Sequence, residues 1–172
     1  MRKGAGFIPL DWPPGRACKM ARDGTKYDAD LYNGNYGNFA REFNSLLDGL
    51  TDTLKKQIQG LVIATIRDAL LGKLTPVTTD GYGDRTGEVE QLARGGNKIL
   101  EVRLEHRFDP PKILLKGKRL RLYFAEPAYP ELIVFLLLEP KDASQFGLNQ
   151  QNRHIDESLL RADDWWSLNN SP

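Results

Sequence analysis

"GKRLRLYFAEP", residues 117–127, is the stretch on which the reading of the chain turns. It alternates with the period of a strand: Leu120, Leu122 and Phe124 to one side, Arg119, Arg121 and Tyr123 to the other, with Lys118 just before. A row of cations beside a phenol suits a solvated sheet face. It equally suits a surface that holds a phosphate backbone.

Working outward, "KILEVRLEHRF" (98–108) alternates too, with Ile99, Glu101, Arg103, Glu105 and Arg107 opposite Leu100, Val102, Leu104 and His106. "ELIVFLLLEP" (131–140) is a continuous apolar run, as expected of a central strand covered on both faces. The Pro- and Gly-rich links between these segments are short, which predicts an antiparallel meander. Upstream, Asn38 can cap a helical period at Phe39, Phe43, Leu46, Leu47 and Leu50. Gly49 and Thr51 mark a break, and a second period runs from Leu54 through Ile58, Val62, Thr65 and Ala69 to a stop at Gly72. A short element, "EVEQLA" (88–93), precedes the strands. "QNRHIDESLLRADDWW" (151–166) closes the chain with helical spacing at Ile155, Leu159, Ala162 and Trp166. The expected fold is α+β: an N-terminal helical hairpin packed on one face of a small antiparallel sheet, a charged stripe on the other face, and a C-terminal helix. Residues 1–37 carry no period and are rich in turn formers, so they are expected to be an irregular extension of a domain spanning 38–172.

Composition narrows the function classes. At 40% hydrophobic and 27% charged, the 172 residues suit one domain with a real core. No apolar run reaches the roughly 18 residues that span a bilayer. The start, "MRKGAGFIPLDWPPG", has no apolar h-region, so a cytoplasmic protein without membrane association is expected. Cys18 is the only cysteine and the two histidines lie far apart, so no intrachain disulfide, metal site or cofactor is expected. The net charge of +1 hides a segregation: residues 98–125 hold eight bases against three acids, and residues 126–172 hold three bases against eight acids. The basic block is the footprint of a polyanion-binding face, or else the decoration of an exposed sheet.

The order of helical pair, "GGNKILEVRLEHRF" (95–108), "KRLRLYFAEP" (118–127), "LIVFLLLEPKD" (132–142) and closing helix resembles the RelE/ParE toxin superfamily, and within it the phage-derived HigB-like branch. The resemblance covers roughly residues 38 to 166. It rests on Gly95–Gly96 followed by Glu101-Val102-Arg103, on Arg121-Leu122-Tyr123-Phe124, and on the apolar strand Leu132 to Leu138 with Lys141 beyond it. It implies a ribosome-dependent endoribonuclease (an mRNA interferase) that cuts mRNA during translation. It also implies an antitoxin, encoded beside the toxin, that joins a DNA-binding part to a segment covering it. The turn "EPKDASQFG" (139–147) is less basic than is usual in the family, and the chain is long for such toxins.

RNA cleavage without a metal must deprotonate a 2′-hydroxyl, stabilise the phosphorane and protonate the 5′-oxygen. The resemblance puts Arg121 at the phosphate; the alternative is an exposed sheet arginine in surface ion pairs. Arg103, on the neighbouring strand, would add a second grip or else pair with Glu101 or Glu105. Lys141 would sit at a groove rim or simply end a strand in solvent. His154 would move the proton if the closing helix packs beside the sheet; otherwise it is an ordinary helix-start histidine. Lys118, Arg119 and Tyr123 would position RNA through phosphate contacts and stacking. His106 falls on the apolar side of its strand and reads as packing or edge, and Trp165 and Trp166 read as anchors of the last helix. Two other readings keep the fold: a ParE-like protein that inhibits a topoisomerase without cutting RNA, and an inactive RNA- or protein-binding module.

Overall fold

The computed structural model describes residues 26–127, 132–144 and 146–170. Most of the expected N-terminal extension (1–25, including Cys18) and part of the "AEPAYPE" link (128–131) lie outside them. What is described of residues 26–37 is largely strand. Asp28–Leu31 is a strand, β1, and Asn33–Gly34 (β2) pairs antiparallel with Gly37–Asn38 (β3). "DADL" has neither alternation nor β-branched residues, and a short polar strand at a sheet edge needs neither.

Two helices follow, each with a side-chain cap. α1 (Phe39–Leu47) starts at Asn38, whose side chain accepts from the Arg41 amide at 2.9 Å. α2 (Asp52–Leu70) starts at Thr51, whose Oγ1 accepts from the Leu54 amide at 3.3 Å. Such caps satisfy amides that have no partner within the helix. α1 packs chiefly on the last strand and α2 on β1 and the turn at Leu104–Arg107, so the pair is seen as two sheet-packed helices and not as the expected hairpin. After a two-residue hairpin of β4 (Thr78–Thr79) and β5 (Arg85–Thr86) come β6 (Val89–Leu92), β7 (Ile99–Arg103), β8 (Lys118–Ala125) and β9 (Leu132–Asp142). α3 (Gly147–Asn170) closes the chain. The β6–β7 turn needs left-handed backbone at Gly96 (φ 61°) and Asn97 (φ 57°), which is where "GGN" places a glycine and an asparagine.

The main sheet has the order β1-β9-β8-β7-β6. β6 through β9 form the expected antiparallel meander, but β1 lies parallel to β9, so the sheet is mixed rather than antiparallel. One face, with Leu100, Val102, Leu120, Leu122, Phe124 and Phe135, packs on Phe39, Leu47, Ile58 and Val62 of α1 and α2. The other face, with Tyr123, Val134, Leu136 and Leu137, packs on Ile155, Ala162 and Trp165 of α3. β9 is covered on both sides as its apolar run predicts, and an irregularity opposite Tyr123 and Phe124 shifts the phase of its alternation. The solvated stripe expected on the second face is therefore mostly covered. Strand alternation separates two faces but does not say what covers the second.

Hydrogen bonds to Glu42, Leu136, Asp30 and Tyr32 help fasten α3. Arg161 Nη1 donates to Glu42 Oε2 (2.6 Å) and to the Leu136 carbonyl (3.0 Å). The Trp165 indole donates to Asp30 Oδ2 (2.6 Å), and the Tyr32 hydroxyl to Asp164 Oδ2 (2.6 Å). Among the described residues no helix is long and apolar enough to cross a membrane.

Candidate functional site

The strand register gathers the expected site residues on one face. Arg103 lies opposite Arg121, Glu101 opposite Tyr123, and Arg119 opposite Lys141. Burial then divides them. Arg121 is 3% exposed and Tyr123 is fully buried, so the strand read as a row of surface cations keeps its central arginine under α3.

The Arg121 guanidinium donates from Nη1 to Glu105 Oε2 (2.6 Å) and to the Leu120 carbonyl (3.0 Å), and its Nε lies 3.4 Å from Glu101 Oε1. Glu101 Oε2 accepts from the Gln151 amide (2.6 Å), whose oxygen accepts from Lys141 Nζ (2.6 Å). This chain of side chains ties β7, β8, β9 and α3 together. Burial pushes the Glu105 carboxyl up, but the hydrogen bond and charge of Arg121 outweigh it and hold the group below the usual carboxylate range. Burial and the neighbouring Glu101 carboxylate push the Tyr123 phenol far above its ordinary value. His154 meets the Tyr123 ring edge-on at 6.0 Å. Burial lowers its pKa to about 4, with Arg153 and Lys141 adding to the effect, so its imidazole is neutral at pH 7. Arg103 is taken from the other side, donating to Glu90 Oε2 at 2.9 Å. Arg121, Arg103, Tyr123 and His154 are thus gathered, as parts of a covered network.

At the open end of the same face the arrangement changes. Arg119 and Lys141 are half-buried and directly opposed across β8 and β9. Neither has a carboxylate partner among the described residues. Burial lowers the Lys141 pKa, and the positive charge of Arg121 lowers it further. Lys118, one position outward, is exposed and paired with Asp142.

His106 is the residue sequence reasoning misplaced. β7 ends at Arg103, and Leu104–Arg107 is a 3-10 turn. Leu104 and Glu105 turn inward, while the His106 side chain is left 26% exposed with Nε2 4.0 Å from Glu105 Oε1. Burial lowers its pKa; Glu105 opposes the shift, and the guanidiniums of Arg103, Arg121 and Arg119 reinforce it. The available signal was Pro110–Pro111, which favours an early strand end. Arg107 leaves the face altogether and bridges Glu88 (3.0 Å) and Asp68 (2.5 Å).

No family model, curated protein or solved structure matches the chain. The residues themselves define what the site can do. Two cations without carboxylate partners stand face to face at a solvent-open sheet end, above a buried Arg–Glu network that fixes the strands, and the partly exposed His106 lies on the turn that follows β7. Two opposed cations of this kind are able to hold an anion of phosphate geometry. Among the described residues no group of three or more His, Cys, Asp or Glu side chains could hold a metal ion.

Proposed function

We propose that the chain is a RelE-like toxin, a ribosome-dependent endoribonuclease that cuts mRNA and so stops translation. The observation that carries this reading is the opposed pair Arg119 and Lys141 at an open sheet end, with no carboxylate bonded to either among the described residues. The order of two helices, four antiparallel strands and a closing helix supports it, with α1 and α2 standing for the helical pair of that fold. In this reading Arg119 takes the phosphate grip that the resemblance assigns to Arg121, and Arg121 positions the strands beneath. His106 accepts the 2′-hydroxyl proton as the 2′-oxygen bonds to phosphorus. Lys141 supplies the proton that leaves with the 5′-oxygen, giving a 2′,3′-cyclic phosphate and a 5′-hydroxyl. The expected partners are mRNA on the ribosome and a cognate antitoxin with a DNA-binding part.

The test is cleavage mapping in a translating cell-free extract, with the same transcript lacking ribosomes as control. Cuts on translated message alone, slowed about 100-fold or more by Arg119→Ala, are the expected result. A second reading, a ParE-like topoisomerase inhibitor that cuts nothing, is favoured by one observation: Arg121 is sequestered by two carboxylates beneath α3. Intact message together with inhibited supercoiling would establish it instead.

A further inference from the structure

A trough leaves the open sheet end and crosses to α2. It is made of two adjoining clefts: a narrow one with about 10 Å³ of room, lined by Glu105, Lys112, Lys118 and Arg119, and a wider one of about 250 Å³, lined by Lys56, Gly60, Phe108 and Lys112, with Leu61 and Leu114 lining both. Three features set it apart from ordinary surface. Lys56, Lys112 and Arg119 have no acid partner among the described residues, Lys118 holds Asp142, and Glu105, the only described carboxylate lining the trough, is held by Arg121. Lys112 Nζ lies 5.9 Å from the centroid of the half-buried Phe108 ring, which puts a cation and an aromatic surface side by side. Gly60 sits inside α2, where glycine weakens a helix, yet a Cβ there would meet nothing within 4 Å. The helix keeps a bare floor where a side chain would fit without a clash.

We propose that this trough is a track for single-stranded RNA, with phosphates on Lys56, Lys112 and Arg119 and a base against Phe108 and the leucine floor. Cations beside an aromatic and apolar floor are complementary to a strand with unpaired bases; a duplex would offer phosphates but keep its bases stacked inside. The inference rests on the RNA reading of the site and adds the path by which the strand reaches Arg119.

The experiment measures binding of a labelled single-stranded RNA oligonucleotide by anisotropy, across a salt series, with the full chain. Each phosphate contact in a single strand contributes about 0.7 to the slope of log affinity against log salt. Lys56→Ala with Lys112→Ala should therefore flatten the slope by about 1.4 and weaken binding roughly 20-fold at 0.1 M salt. Lys56→Arg with Lys112→Arg should restore it. Gly60→Leu, which fills the floor without touching the cations, should weaken binding while leaving the melting temperature unchanged or raised. Wild-type affinity and slope in the double alanine variant would overturn the track, as would RNA binding untouched by Gly60→Leu while an acidic peptide is displaced. No RNA binding by the wild-type chain at low salt would overturn it as well. If the alanine variant loses RNA binding but no message is ever cut in the extract, the track stands and the endoribonuclease reading falls.

Discussion

Arg121→Met tests the buried network directly. The substitution keeps the long apolar stem and removes the guanidinium, which leaves Glu105 and Glu101 without their shared cation under α3. Both carboxylates are nearly inaccessible, 7% and 1% exposed, so solvent cannot compensate. Removing one partner of such a pair typically costs about 3–5 kcal/mol, because the remaining charge stays buried and unpaired. For a chain of this size that corresponds to a fall of roughly 6–20 °C in melting temperature. The pH dependence separates this cause from lost packing. In the wild-type protein the folded Glu105 pKa is depressed, so its contribution is present above the unfolded carboxylate pKa and is lost as pH falls through the folded value. Without Arg121 burial outweighs the weaker lowering by the backbone hydrogen bond and His106, the folded pKa rises, and acid relieves the strain. Urea unfolding at pH 7 and pH 5 should therefore show the variant closing part of its gap to wild type at the lower pH. A variant within about 1 kcal/mol of wild type at pH 7, with the same pH slope, would refute the placement of Arg121 beneath α3. Under the endoribonuclease proposal, loss of activity in Arg121→Ala would not identify a catalytic residue, whereas loss of activity in a folded Arg119→Ala, at the open sheet end, would.

His154 should contribute a separate acid transition. Its folded pKa of about 4 lies below the ordinary histidine value, so stability is intact above about 6.5 and is lost as pH falls through that window. His154→Gln should remove this dependence, as read by denaturant midpoints between pH 7 and pH 4. Trp165→Phe keeps the ring in the core but deletes the indole bond to Asp30, which should cost about 1 kcal/mol. Amide exchange in the last turns of α3 should accelerate with little change in the first turns.

The elements that were legible in the sequence are those whose neighbours are implied by period. Ile58, Val62, Thr65 and Ala69 lie on the buried stripe of α2, Asn38 and Thr51 cap where helices begin, and the run from Ile133 to Leu137 is central. β1 was not legible, since Asp28 and Asp30 give a parallel edge strand no apolar signature and its partner is over a hundred residues away. The charges failed for a different reason. Eight bases in one block looked like a surface, but Arg103, Arg107, Lys118 and Arg121 are each matched to an acid that only tertiary structure brings near. Composition counts charges; the fold decides which remain unmatched, and Arg119 and Lys141 were not distinguishable from the others beforehand.

The placement of β1 also governs how the protein can be made. Among the described residues Asp28–Leu31 pairs with β9 alone, and α3 then clasps Asp30, Tyr32 and Asn35 through Trp165 and Asp164. The first strand of the described chain must therefore wait for the last strand and helix to leave the ribosome before the sheet is complete. Until then β1 has no partner strand, and the edge of β8 that β9 will cover has an open ladder of amides and carbonyls, available to any other extended chain. A nascent or C-terminally truncated protein would carry that edge exposed, and strand addition between copies is the failure its architecture invites.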